Sequence, residues 1–168
     1  MIDMGPKHLS LGKNRYITIF TVADTRYVMI FLHKTKDEFP SLLLQALTRT
    51  PRQPKILRTD GAGEYITATV NKILLDRGIK KEMSNPDQQF GNAKAETMVA
   101  SIGRCIRVAL LSSGLGTAFW SFAASNWIDV YNHLPHSSLG FKTPWEAEMG
   151  STPDVSWFRP FGCRVTVF

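Results

Sequence analysis

Residues 55–65 read Lys55-Ile56-Leu57-Arg58-Thr59-Asp60-Gly61-Ala62-Gly63-Glu64-Tyr65, and the topology of the chain follows from them. The first four residues are typical of a short β-strand, and the run from Asp60 to Gly63 predicts a turn directly after that strand. From Glu64 to Arg77 apolar residues recur at helical spacing, and Gly78 stands where a helix C-terminal cap is expected. A strand that passes through a turn into a helix is a building unit of α/β proteins.

Strand and helix patterns continue on both sides of this unit. The β-branched and aromatic residues of 16–22 and 27–32 predict two strands joined by a tight turn. The other predicted elements are a helix over 39–47 that ends before Pro51 and Pro54, a strand over 79–83, a loop over 84–91, a helix from Asn92, a helix over 117–131 and a short helix at Thr143-Pro144. This order predicts a mixed sheet with helices on its faces, and therefore an α/β class.

The composition indicates one folded domain that covers residues 1–168. Hydrophobic residues make up 43% of the chain and charged residues 20%, which excludes the composition of a disordered protein. The 20 lysines and arginines against 14 acids give a net charge of +6. A polyanion is the natural partner of a chain with this charge.

Several classes of protein are excluded or disfavoured. The two cysteines, Cys105 and Cys163, are too few and too distant for a disulfide framework or a Cys-x-x-Cys zinc site. The longest apolar runs fall short of the roughly 20 residues of a membrane helix, and the first residues lack the pattern of a secretory signal. We therefore expect an intracellular protein without a membrane-spanning segment.

Two carboxylates occupy positions where α/β proteins place chemistry. Asp60 follows a strand at the start of the glycine-rich turn, and Glu96 is expected in the first turn of the helix from Asn92. Two ionised carboxylates repel each other unless a cation lies between them, and their hard oxygens suit Mg²⁺ or Mn²⁺ together with a substrate phosphate. Either residue alone also has a local explanation, because Asp is common in turns and Glu is favoured in the first turn of a helix.

The spacing and the flanks of these acids resemble a known family. Thirty-five residues separate Asp60 from Glu96, and the flanking runs are residues 57–65 and Asn92-Ala93-Lys94-Ala95-Glu96. Six further motifs match: Thr25-Arg26-Tyr27, Gly78-Ile79, Phe119-Trp120, Tyr131-Asn132-His133-Leu134-Pro135, Thr143-Pro144-Trp145-Glu146 and Arg159-Pro160-Phe161-Gly162-Cys163. Together they resemble the catalytic core of retroviral-type integrases with the Asp, Asp-35-Glu signature, in particular the integrase of copia-type long-terminal-repeat retrotransposons.

The resemblance implies a ribonuclease-H-like fold, with a five-stranded mixed sheet flanked by helices and a third carboxylate on the first strand. Asp3 matches that acid, although one residue separates it from Gly5-Pro6 where the family has two. Asp24 is the rival position, but a turn-forming role explains it better. Because only two residues precede Asp3, we expect most of the first strand to be missing at the N-terminus.

The resemblance also implies the chemistry. Asp3, Asp60 and Glu96 are the implied catalytic residues and metal ligands, and they would hold two Mg²⁺ or Mn²⁺ ions that activate a water or a DNA 3′ hydroxyl for attack on a phosphodiester. Such an enzyme is a DNA integrase, a polynucleotidyl transferase that processes the 3′ ends of the element and joins them to target DNA. Its partners would be element ends, target DNA and further copies of itself, and its place of action would be the nucleus.

DNA contacts are expected mainly on phosphates, which position a protein without reading sequence. The best candidates are Gln88, Gln89, Asn92 and Lys94. Arg104 and Arg107 fit a solvated helix face better than a DNA contact. The aromatic residues of the helix over 117–131 are expected in the core: Phe119, Trp120, Phe122 and Trp127.

The chain departs from the family at three places and leaves two other interpretations open. Ala93, Thr97 and His133 stand where the family has Gly, Arg and Arg. Thr97 lacks the fork of donors with which arginine binds a phosphate or a carboxylate. An inactive remnant or domesticated fragment that binds nucleic acid or a protein partner is the first alternative, and a hydrolytic nuclease of the same fold is the second.

Overall fold

The computed structural model describes residues 1–5, 8–59, 67–83 and 89–166, with the side chains of Met83 and of residues 89–96 outside the description. The strands in this part of the chain are β1 (Ile2–Asp3), β2 (Tyr16–Thr21), β3 (Val28–His33), β4 (Ile56–Thr59) and β5 (Lys80–Met83). The α-helices are α1 (Phe39–Arg49), α2 (Ala68–Asp76), α3 (Gln89–Ser113), α4 (Trp120–His133) and α5 (Pro144–Met149). The chain divides into two compact units, one of Met1–Lys34 with Ala100–Phe168 and one of Thr35–Val99.

The first unit contains an antiparallel sheet in the order β1-β2-β3. β2 and β3 pair over their whole length, from Tyr16 opposite His33 to Thr21 opposite Val28. β1 adds two residues, and its Asp3 lies opposite Tyr16. β-branched and aromatic residues fill β2 and β3 because they pack well on a pleated, largely buried surface. The two strands predicted in this region are confirmed to within one residue at each end.

Helices α3 and α4 bury apolar faces in the first unit. The buried residues of α4 include Trp120, Ala123, Ala124 and Ile128, and this helix packs against β3. On α3, Ile102 and Ile106 are buried at a spacing of four residues, which puts them on one face of the helix. Arg104 and Arg107 are exposed, as the solvated helix face predicted for them requires.

The aromatic residues near the start of α4 do not all enter the core. Trp120 is 1% exposed, and its indole nitrogen donates to the backbone oxygen of His8 at 2.7 Å. Phe122 is 54% exposed, and its ring centre lies 6.1 Å from that of Phe119. Residues two apart point about 200° apart around a helix, so a single buried face cannot hold both Trp120 and Phe122. The prediction of a core position is therefore confirmed for Trp120 and wrong for Phe122, while Phe119 and Trp127 are half-buried.

α5 is a short helix with strong end signals. The hydroxyl of Thr143 accepts a hydrogen bond from the backbone nitrogen of Glu146 at 3.0 Å, and Pro144 follows at the first helical position. Glu148 is buried in this helix, and its carboxylate accepts a bond of 2.7 Å from the hydroxyl of Thr25. That bond ties α5 to the turn that precedes β3.

The second unit contains the strand, helix and strand predicted around residues 55–83. β4 and β5 pair in parallel, with Leu57 opposite Lys81, and α2 forms the crossover that parallel strands require. Thr67 caps α2, because its hydroxyl accepts a bond of 3.3 Å from the backbone nitrogen of Val70. α1 packs against α2.

The predicted α/β class is confirmed, whereas the predicted sheet and loop differ from the structure. The described strands pair as one three-stranded and one two-stranded sheet, and not as the single five-stranded sheet. The loop predicted over 84–91 is wrong at its end, because α3 begins at Gln89; residues 84–88 lie outside the described residues. A glycine inside a helix costs about 1 kcal/mol, which a helix of 25 residues tolerates at Gly91. Within the described ranges, no helix combines the length and the apolar character that a membrane span needs.

Candidate active site

Asp3 is the predicted catalytic residue whose side chain the structure describes. It ends β1, and its side chain is 41% exposed. Arg15 binds the carboxylate with two bonds, from Nε to Oδ1 at 2.9 Å and from Nη2 to Oδ2 at 2.7 Å. The backbone nitrogen of Gly5 donates a further bond to Oδ1 at 2.7 Å. Both carboxylate oxygens of Asp3 are therefore engaged.

Backbone and ring contacts hold Arg15 in place directly before β2. Its backbone nitrogen donates to the oxygen of His33 at 3.0 Å, and its backbone oxygen accepts from the nitrogen of Met4 at 3.0 Å. The guanidinium carbon lies 4.9 Å from the centre of the Tyr16 ring, within the range of a cation–π contact. The hydrogen bond to Asp3 raises the pKa of Arg15, against the opposing effect of desolvation. Arg15 is thus a fixed and permanently charged partner of the acid.

The residues beside Asp3 bring polar groups together at one end of one face of the three-stranded sheet. The ring of Tyr16, which lies opposite Asp3, stacks on the ring of His33 with 5.4 Å between their centres. His33 is 1% exposed, and its Nε2 lies 2.9 Å from the hydroxyl of Thr18. No motif of the sequence gives His33 a role. The alternation of Tyr16 and Thr18 along β2 is the signal that indicates this face, because residues two apart in a strand point the same way.

The other predicted site residues lie at the edge of the described part of the chain or outside it. Asp60 and Gln88 lie outside the described residues, as does the side chain of Glu96. Glu96 is the eighth residue of α3 and not in its first turn, so the capping explanation considered for it does not apply. Three predicted DNA-binding residues also belong to α3 with their side chains undescribed: Gln89, Asn92 and Lys94. Their roles stay predictions.

Asp3 has the chemistry of a divalent-ion ligand, but a guanidinium already balances its charge. Carboxylate oxygens are the ligands that Mg²⁺ and Mn²⁺ prefer, and the exposure of Asp3 leaves them within reach of solvent. An ion on the same oxygens would meet the positive charge of Arg15. Among the residues described, no group of three His, Cys, Asp or Glu side chains is arranged to hold a metal ion; the side chains of Asp60 and Glu96 are not in that set. Asp24, the rival position, is exposed in the turn before β3.

Asn132, in one of the family-like motifs, supports the sheet. It is buried on α4, where its Oδ1 accepts from the backbone nitrogen of Val28 at 2.9 Å and its Nδ2 donates to the backbone oxygen of Val28 at 2.7 Å. The side-chain amide has the same donor and acceptor as a peptide group. It therefore forms the two backbone hydrogen bonds that a neighbouring strand would otherwise form at this edge of β3.

His133, which stands where the family has arginine, lies in an aromatic cluster. Its ring stacks on Trp145 with 5.2 Å between centres and an angle of 24°, and it meets Trp157 and Phe158 edge-on. Burial raises the pKa of Asp129, one turn earlier on α4, an effect that His133 opposes. The side chain at position 133 thus has a packing role in this chain.

The fold is similar to that of a solved integrase catalytic core. The structure is similar to the HTLV-2 integrase catalytic core domain, which was solved in complex with magnesium in a trimeric form, with a TM-score of 0.64. The match covers 84% of this chain and 90% of that chain at 18% sequence identity, so the likeness concerns the fold. The α/β fold is accordingly ribonuclease-H-like.

Sequence relatives agree with that fold. The chain is 28% identical over 165 residues, 95% of its length, to the retrovirus-related Pol polyprotein from transposon TNT 1-94 of Nicotiana tabacum. It is 25% identical over 159 residues, 92% of its length, to the Pol polyprotein from transposon RE2 of Arabidopsis thaliana. It spans 12% and 11% of the lengths of these two polyproteins. No protein-family profile matches the chain. Its homologues are retrovirus-related Pol polyproteins of copia-type plant transposons, which confirms the resemblance of the motifs.

Proposed function

We propose that the chain is the catalytic core of a retrotransposon integrase, a polynucleotidyl transferase that processes the 3′ ends of element DNA and joins them to target DNA. The observation that carries the proposal is the alignment with transposon Pol polyproteins over 95% of the chain. The likeness of the fold to an integrase catalytic core supports it independently. Because the matched segment is 12% of the TNT 1-94 polyprotein, the integrase core would be one part of a longer Pol polyprotein.

In this proposal Asp3, Asp60 and Glu96 hold two Mg²⁺ or Mn²⁺ ions. The HTLV-2 core domain was solved in complex with magnesium, and three carboxylates provide the hard oxygens that these ions prefer. When bound, the ions would supply Lewis-acid activation of a water or a DNA 3′ hydroxyl. Asp3 presents its exposed carboxylate at the end of β1, and Arg15 keeps that carboxylate in one orientation.

The proposed substrate is DNA, bound mainly through its phosphates. The net charge of +6 favours a polyanion, since cationic side chains release the counterions of the DNA backbone. The proposed DNA-binding residues at and before the start of α3 are Gln88, Gln89, Asn92 and Lys94. Their amide and ammonium groups can donate to phosphate oxygens. The HTLV-2 core was solved in a trimeric form, and we propose a homo-oligomer here too, acting in the nucleus where target DNA lies.

A joining assay with variants of the two spaced acids tests the proposal. The purified protein with Mn²⁺ should nick or join a duplex that carries element ends, and Asp60→Asn or Glu96→Gln should abolish this activity because each removes a charged metal ligand. Asp76→Asn is the matched control, since Asp76 is exposed at the end of α2 and loses the same charge. Activity that survives both substitutions would reject the site.

The ion pair on Asp3 favours one alternative, a catalytically inactive relative that binds nucleic acid or a protein partner. In that case the wild-type protein would bind DNA in a fluorescence-anisotropy titration, with affinity falling as salt rises, but would show no Mn²⁺-dependent turnover. A hydrolytic nuclease of the same fold would cut the duplex in the same assay and form no joined product. The products of one reaction therefore separate the three functions.

A further inference from the structure

We propose that Arg15 is a resident counter-cation for Asp3: it holds the carboxylate in the ion-free protein and sets how tightly the site binds a divalent cation. The inference rests on the proposed function, in which Asp3 is a metal ligand. It adds a positioning residue that no motif of the sequence indicates. Arg15 would act through Asp3 and not on the substrate.

Arg15 and Asp3 form a bidentate ion pair. The planar guanidinium fork of Arg15 matches the carboxylate, with bonds of 2.9 Å to Oδ1 and 2.7 Å to Oδ2. The Gly5 backbone nitrogen also donates to Oδ1. A Mg²⁺ ion binds carboxylate oxygens at about 2.0–2.1 Å and tolerates little distortion of its shell. It would therefore have to displace the guanidinium from at least one oxygen of Asp3, or bind beside a like charge.

Arg15 is also preorganised for this pair. Its backbone is bonded on one side to Met4 of the β1 segment and on the other to His33 of β3. Its guanidinium lies over the Tyr16 ring, and the side chain is 34% exposed. Little side-chain freedom is left to lose when the pair forms, so the guanidinium competes more strongly than a mobile arginine would.

A second arginine pair in the chain shows what an incidental contact looks like. Arg58 donates one hydrogen bond of 3.0 Å from Nε to the carboxylate of Glu82, and the Arg58 side chain is 69% exposed. Lys80 approaches the other oxygen of the same carboxylate at 3.6 Å. That arginine makes a single bond and is more exposed than Arg15, whereas Arg15 binds both oxygens of Asp3 and lies over the Tyr16 ring. The bidentate bonds and the ring contact therefore distinguish the Asp3–Arg15 pair as a preorganised feature of the sheet.

Mn²⁺ affinity in the absence of DNA tests the inference without any reading of activity. In isothermal titration, Arg15→Gln should bind Mn²⁺ about 1.4- to fivefold more tightly than wild type, the range that exposed ion pairs span in double-mutant cycles. Arg15→Lys keeps the charge and loses the fork, so its affinity should fall between the two. Arg107→Gln is the matched control, because it removes the same charge from an exposed position on α3 and should bind like wild type.

A double-mutant cycle with Asp3→Asn decides whether the effect passes through the acid. Arg15→Gln should tighten Mn²⁺ binding when Asp3 is present and leave it unchanged in the Asp3→Asn background. Equal affinities of Arg15→Gln and Arg107→Gln, or tightening that persists without Asp3, would overturn the inference. If Arg15→Gln does not fold by circular dichroism, Arg15→Lys carries the same comparison, and a wild-type affinity for that variant would overturn it as well.

The same titration separates this inference from the proposed function. Asp60→Asn that binds Mn²⁺ as tightly as wild type would reject the three-acid site, whatever the Arg15 variants do. Wild-type affinity in Arg15→Gln together with loss of binding in Asp60→Asn would reject the counter-cation and leave the integrase site standing. Absence of Mn²⁺ binding in wild type and in Arg15→Gln would reject both.

Discussion

Replacement of Asn132 by leucine should destabilise the protein by about 2–6 kcal/mol, because two buried backbone groups would lose their partners. In the structure the Asn132 amide forms bonds of 2.9 and 2.7 Å with the nitrogen and the oxygen of Val28. Val28 is fully buried and Asn132 is 4% exposed, so water does not replace the lost bonds. Each unpaired group costs about 1–3 kcal/mol, and leucine is close enough in size to asparagine that cavity formation adds little.

Urea denaturation followed by circular dichroism measures this change. The midpoint should fall with an unchanged m-value, and the melting temperature should drop by about 2–4 °C for each kcal/mol in a domain of this size. Asn126→Leu is the matched control, because Asn126 is half-buried on the same helix and does not bond to Val28. A difference below about 0.5 kcal/mol between the two variants, the usual size of a surface substitution, would show that the amide does not support the edge of β3.

Asn132→Asp adds a test of the bonding pattern itself. A protonated carboxyl can accept from the Val28 nitrogen and donate to the Val28 oxygen, whereas an ionised carboxylate would face that oxygen with like charge. The folded-state pKa of the new acid should therefore lie above its unfolded value of about 3.9. The stability loss relative to wild type should be smallest below pH 4 and should grow as pH rises toward 7. A pH-independent loss would contradict this account of the bonds.

Two further predictions concern a glycine and an exposed ion pair. Gly162 has a φ of 76°, and a β-carbon added there would clash with the β-carbon of Ser113. Gly162→Ala should therefore cost about 1–3 kcal/mol in urea denaturation, and Ser113→Gly should recover part of that loss. The hydrogen bond from Arg58 lowers the pKa of Glu82, so Arg58→Gln should move the NMR titration of Glu82 to higher pH. The stabilisation from this pair is present above the ordinary carboxyl pKa and is lost as pH falls through the lowered one. Wild-type stability of Gly162→Ala, or an unmoved Glu82 titration, would contradict these two accounts.

Much of the fold could be predicted because its signals are short-range. The β-branched run from Tyr16 and the Thr143-Pro144 start of α5 depend on residues a few positions apart, and the structure bears out both. The start of α3 at Gln89 could not be predicted in this way, since Gly91 and Asn92 are weak helix formers. The core position predicted for Phe122 is wrong for a related reason. Composition alone does not tell which face of a helix packs against the rest of the protein.

The candidate site, too, could be predicted only in part from the sequence. The 35-residue spacing and the motif order, which are properties of the chain alone, led to the family that the homologues confirm. Nothing in that pattern pairs Asp3 with Arg15, 12 residues away, or Asn132 with Val28, 104 residues away. Propensity, capping and turn chemistry act over a few residues, so they specify the elements and the ancestry. Residues that are distant in the chain meet only when strands and helices pack. Packing therefore determines that Arg15 balances the charge of Asp3 and that Asn132 bonds to the backbone of Val28.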